Sequence, residues 1–234
     1  MSHDPVSEMY ALWERYKRLR AIGSQKLRKQ ANQSLNTFIE CFKQQTGEVR
    51  ATFVNEIYTL IWDAITNAPD EFWLLGGHLF DINLPIPLQV PFTEEVLTPE
   101  LNRRLQTDPN DAQALRWRGL YKQSYAIQKD QMTLRHIIMT YMYSIGYTYG
   151  HDVEAGIISN PSGMNAMKVT EQNLAEARDY WVQLESSTLK DKWDKCLTRY
   201  ERIAACWDDY CSHKFLNDVF YNDFHHYLIV NKIW

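Results

Sequence analysis

The chain has 234 residues, 45% of them hydrophobic and 23% charged, with only 9 Gly and 8 Pro. This balance excludes a disordered chain, and so few breakers suit helices better than a many-turned β-sandwich. A net charge of −4 disfavours non-specific nucleic-acid binding. With no signal-peptide pattern and no uncharged apolar run near the roughly 18–20 residues that cross a bilayer, the expected location is the cytosol.

The first predicted helix covers about Pro5–Ala21, where Met9, Trp13, Tyr16 and Leu19 recur at helical steps. Gly23 ends it and Ser24 caps the second, about Ser24–Gln45, so the two form an antiparallel hairpin. A third helix runs over about Glu48–Asn67. Residues 68–92 break the pattern with Pro69, Gly76-Gly77, Pro85, Pro87 and Pro91. They read as a long ordered loop with one helical turn at Asp70–Leu75. Thr98-Pro99-Glu100 looks like a helix start that runs to Asp108-Pro109. Asp111 caps a helix to about Gln128, and Asp130–Tyr149 forms the next. A second irregular stretch spans about 150–168. Helices follow over about Val169–Glu185 and Thr188–Lys214, then a last helix or tail over Phe215–Tyr227. Only Leu84–Val90 and Tyr227–Val230 offer strand-like runs. The expected fold is all-α: one helical domain, 1–234, of antiparallel helix pairs in a bundle or short array, with two long irregular loops.

Chemistry-bearing patterns are few. Neither a His-x-x-x-His nor a Glu-x-x-His pair occurs, and Asp218, Asp223, His225 and His226 read as a solvated helix end. Gly76-Gly77-His78 reads as a turn rather than an oxyanion loop, and the chain has no nucleophile elbow or phosphate-binding loop. Three of the four cysteines, Cys196, Cys206 and Cys211, fall on one predicted helix, which suits reduced thiols better than a disulfide framework. No cofactor, metal or catalytic residue is expected.

Charge is more informative. Residues 63–111 hold nine acidic and two basic side chains, a local balance of −7. There Asp70, Glu71, Asp81, Glu94 and Glu95 flank Trp73, Phe80 and Phe92. Carboxylates around aromatics suit a basic partner, with the charges steering encounter and the rings anchoring it. A second such patch is Asp208, Asp209 and Tyr210 beside Trp207. A contrasting run, Arg15, Lys17, Arg18, Arg20, Lys26, Arg28 and Lys29, is opposed by Glu14 alone and could contact phosphates.

The stretch Asp108-Pro109-Asn110-Asp111-Ala112-Gln113-Ala114-Leu115-Arg116-Trp117-Arg118-Gly119 reads as stop, turn and restart between helices. It resembles the junction of tetratricopeptide (TPR) repeats, which bind proteins. The resemblance implies a TPR-like adaptor using Trp117, Tyr121 and Tyr125. Leu115 and Arg118 depart from that pattern, and no second copy follows about 34 residues on. The segments 9–20, 91–99 and 108–117 resemble helical bacterial immunity proteins of toxin–immunity pairs. That resemblance implies a non-catalytic protein that binds and neutralises a basic partner such as a nuclease toxin.

Overall fold

The computed structural model describes residues 5–22, 25–74, 84, 86–153, 161–213 and 224–233. Its helices are α1 (Pro5–Ala21), α2 (Gln25–Lys43), α3 (Gly47–Thr66), α4 (Asp70–Leu74), α5 (Val90–Phe92), α6 (Thr98–Thr107), α7 (Ala112–Trp117), α8 (Tyr121–Ile127), α9 (Gln131–Gly146), α10 (Pro161–Trp181), α11 (Thr188–His213) and α12 (Phe224–Val230). The protein is all-α, and no strand occurs among the described residues. Both strand-like runs are corrected: the described part of 84–89 is irregular, and Tyr227–Val230 lies in α12. The second irregular stretch is shorter than expected, because helix covers both of its ends. No described helix is long and apolar enough to cross a membrane. The backbone gathers into two compact units, Met1–Ala68 with Leu79–Gln128, and Pro69–His78 with Lys129–Trp234.

In the first unit, α1 and α2 form the expected antiparallel hairpin. Ser34 Oγ donates to Leu12 O at one level, and Gln45 Nε2 donates to Pro5 O at the other. The core between α1, α2 and α3 is aromatic. Trp13 stacks on Phe92 with ring centroids 4.6 Å apart and 18° between planes. It also meets Phe53 edge-on at 5.6 Å and Phe38 at 5.3 Å. Such pairs add about 0.5–1.5 kcal/mol each to the burial of their surface.

Phe92 belongs to a helix that begins earlier than the sequence suggests. Pro91 occupies the first turn of α5, which runs through a π turn, Thr93–Leu97, directly into α6. Pro99 therefore sits inside a continuous helix. It has no N–H to give, and its ring crowds the carbonyl four residues back. In the π turn the Thr98 N–H reaches back to Thr93 O, which widens the helix just ahead of that ring.

The 108–121 junction forms, with one difference. Asp111 caps α7 by accepting from Ala114 N at 2.9 Å. It also takes the Arg104 guanidinium at 2.8 and 2.6 Å. The helix expected to reach Gln128 instead breaks at Gly119, which has φ +76°. Leu120 N donates to Leu115 O and Gly119 N to Arg116 O, the paired bonds of a Schellman stop. α8 then folds back, held by Ser124 Oγ donating to Ala112 O at 2.7 Å.

In the second unit, α9 and α10 are antiparallel, as are α10 and α11. Asn173 meets Ser144, and Tyr141 donates to Glu176. Arg178 ties α10 to α11 through Glu201, Asp194 and Thr198, with contacts from 2.6 to 3.0 Å. Trp207, Tyr210, Phe224 and Tyr227 pack α12 onto the end of α11.

The Schellman stop gives a direct test. A Cβ on Gly119 would meet open space, so Gly119→Ala carries only the left-handed backbone cost, a loss of about 1 kcal/mol in chemical denaturation. Gly150 is equally unobstructed and has no positive φ, so Gly150→Ala should be neutral or stabilising.

Candidate functional site

The π turn of the first unit borders a cleft of about 410 Å³ whose walls carry Phe42, Lys43, Arg50, Glu94, Glu95 and Arg103. At its base lies Glu100, a carboxylate residue only 3% exposed. Burial of a charge is tolerated when it is paired and hydrogen-bonded. Here Arg103 donates to Glu100 Oε1 through Nε at 2.9 Å and again through Nη2. Arg50 Nε stands 3.8 Å from the other carboxylate oxygen. Arg50 also donates to the carbonyls of Lys43 and Gln45, both at 3.2 Å, closing the end of α2. The base of the cleft is thus a fixed ion cluster.

The mouth is different. Lys43 Nζ bridges to Glu95 at 2.8 Å and to Glu40 at 3.2 Å, with all three side chains well exposed. Glu94 is exposed and has no ion pair among the described residues. The π turn advances the chain by an unusual rotation and so presents Glu94 and Glu95 beside this opening, while Val96 and Leu97 turn into the core.

The remaining expected site residues are distributed unevenly. Asp70, Glu71 and Trp73 belong to the second unit, and Glu94 and Glu95 to the first. Asp70 is held structurally. It accepts from Lys192 Nζ at 2.9 Å and Thr188 Oγ1 at 3.2 Å. The Lys192 hydrogen bond, ahead of the other influences, keeps its carboxyl below the usual range. Glu71 is exposed. Trp73 corrects the expectation of a surface anchor: it is 1% exposed, with its ring against Phe72 and His136. Tyr210 is likewise 1% exposed within the α11–α12 ring cluster. Asp208 and Asp209 are exposed, and Asp209 accepts from Tyr227 Oη. Phe92 is a core residue, while Phe80 and Asp81 lie outside the described residues. Large rings remove more apolar surface from water than any other side chains, so a core short of them recruits them first.

The TPR-type residues also serve packing. Trp117 stacks on Tyr58 at 4.5 Å, and the Arg104 guanidinium lies 5.2 Å from its ring. Tyr125 is buried. Sequence reasoning passed over Lys43, Arg50 and Arg103. The one visible signal was the Glu100–Arg103 spacing of i, i+3. The partners from α2 and α3 are about fifty residues away in the chain.

The four cysteines are free thiols. Burial pushes Cys41, Cys196 and Cys206 upward, away from the thiolate form a nucleophile needs. Among the described residues no group of His, Cys, Asp or Glu side chains is arranged to hold a metal ion. Compared with protein-family models, curated proteins and solved structures, the chain matches none.

Two outcomes follow from these ion pairs. Arg103→Ala leaves the buried Glu100 carboxylate with only the longer Arg50 contact and should cost about 1–3 kcal/mol in chemical denaturation. Adding Glu100→Gln should recover part of the loss, because an amide is less costly to bury. Asp70 is depressed in the folded state, so its contribution is present above its unfolded value, near pH 4, and is lost as pH falls through the lower folded value. Asp70→Asn should therefore lower stability at neutral pH and flatten the acid limb of a stability–pH profile measured by urea denaturation.

Proposed function

We propose that the chain is a non-catalytic protein-binding module, and more specifically an immunity protein that neutralises a basic toxin by direct binding. The observation that carries this reading is Glu94, a solvent-facing carboxylate with no ion pair among the described residues, at the mouth of a cleft. Beside it the Lys43–Glu95 bridge is exposed on both sides. Exposed pairs of this kind are worth little and exchange readily. A partner's guanidinium can take the place of Lys43 on Glu95 and reach Glu94 as well, gaining the stronger two-pronged geometry. The fixed Glu100 cluster beneath would hold the opening in shape without rearrangement, which lowers the ordering cost of binding.

The acidic balance of residues 63–111 supports the same partner chemistry, since like-signed fields accelerate encounter with an oppositely charged protein. The TPR-like adaptor reading has weaker support, because Trp117 and Tyr125 are already engaged in packing.

The test uses the full chain and its Glu94→Lys/Glu95→Lys double variant as parallel baits in a lysate of the encoding organism. A stoichiometric basic protein should be retained by the native chain and lost from the variant. With that protein purified, the variant should associate at least about tenfold more slowly at low salt. Equal retention by both baits would reject the cleft as the binding site. A partner that is harmless when expressed alone would reject the immunity form of the reading.

A further inference from the structure

At the other end of the first unit, the last two turns of α1 together with Leu84, Ile86 and Pro87 line a cleft of about 470 Å³. One side is basic: Lys17, Arg18 and Arg20 line it, with Glu14 the only carboxylate among its described lining residues. The opposite side is apolar, formed by Leu84, Ile86 and Pro87. The apolar wall is fixed from beneath, because buried Tyr16 donates to Pro87 O at 3.3 Å.

The cations are positioned but not neutralised. Lys17 bridges Glu14 at 2.6 Å, which occupies that carboxylate. Arg18 is exposed and makes only a long contact, 3.4 Å, to the Glu14 carbonyl. Arg20 lies against the side-chain amide of Gln89, a neutral group that leaves the guanidinium charge unbalanced. Around the rim, Arg15, Lys26, Arg28 and Lys29 are exposed, with no ion pair among the described residues. A helix C-terminus favours a nearby cation through roughly half a negative charge. Seven basic side chains within residues 15–29 far exceed that requirement.

We propose that this cleft binds a nucleotide through its phosphate, with Arg18 and Arg20 taking the phosphate oxygens and Leu84, Ile86 and Pro87 receiving the sugar and base. The proposal is independent of the acidic cleft and of the protein-binding reading. Guanidinium groups match phosphate geometry, and charge-assisted bonds of this type are the strong ones. A bare phosphate ion would leave most of the cleft unfilled, whereas the volume lies within the roughly 300–1,000 Å³ of small-ligand sites. The nucleotide has two sources, a free mononucleotide or one unit of a single strand. In the second case the rim cations hold the neighbouring phosphates.

The experiment is isothermal titration of the full chain at low salt with 5′-AMP, inorganic phosphate, adenosine and a short oligodeoxyadenylate. 5′-AMP should bind more tightly than either phosphate or adenosine, because only it engages both walls. Arg18→Glu and Arg20→Glu should each weaken 5′-AMP binding at least about tenfold with unchanged helical content by circular dichroism. Arg18→Lys should retain part of the affinity, and Leu84→Ser should narrow the preference for 5′-AMP over phosphate. An oligonucleotide that binds far more tightly, with steep salt dependence, identifies a strand as the source. Equal affinity identifies the free nucleotide. Absence of 5′-AMP binding, or binding that both arginine reversals leave unchanged, overturns the proposal.

Discussion

The first unit depends on Phe92 lying flat against Trp13. Phe92 is completely buried, and it arrives at the end of a segment that contains three prolines in seven residues, 85–91. Ile86, Val96, Leu97 and Leu101 are buried as well, and the Phe92 ring is the large anchor among them. With it, α5 is fixed in place, and the π turn and α6 follow in phase. Glu94 and Glu95 then face a cleft, and Glu100 is carried into the interior. Two charged features of opposite character, the fixed base and the exchangeable mouth, are consequences of one aromatic stack and one proline.

The buried ionic cluster at Glu100 illustrates how a charge inside a fold can organise a surface. A carboxylate removed from water must be paired, and the geometry that pairs it is demanding. Arg103 supplies two bonds from the next helical turn, and Arg50 approaches from α3 while closing the end of α2. The stabilisation is modest in net energy, yet the arrangement leaves few alternatives for the three helices that meet there. Arg178 has a similar place in the second unit. Its guanidinium is shared between Glu201 and Asp194, which together raise its pKa, and it sits over the Trp181 ring. Both arginines use the planar fork that a lysine lacks.

Within the first unit the sign of charge is segregated. The end of the α1–α2 hairpin is cationic and borders an apolar wall, whereas the π turn is anionic and borders a mixed cleft. Opposite charges placed at separate features of a small unit do not neutralise one another beyond a Debye length of about 8 Å at physiological salt. Each can therefore recognise its own ligand chemistry, a phosphate at one and a guanidinium or ammonium at the other.

Helix existence was legible in the sequence, because apolar spacing and caps are local properties. Pro5–Ala21 and the starts at Thr188 and Ala112 fall where the stripes and Asp111 place them. The stop at Gly119 has its own local signal, a glycine after a helical turn. The sequence also determined that acidic residues gather over 63–111 and basic ones over 15–29. Only the tertiary structure decided which aromatics are inside. Trp73, Tyr210 and Phe92 have the same composition signature as surface anchors, and burial depends on neighbours far away in the chain. It likewise decided which carboxylates are occupied: Asp70 by Lys192, Glu100 by Arg103 and Arg50, with Glu94 left open to solvent. Charge type is a property of one residue, but charge availability is a property of the pair. Partners about 120 residues apart, such as Asp70 and Lys192, meet only after the chain has folded.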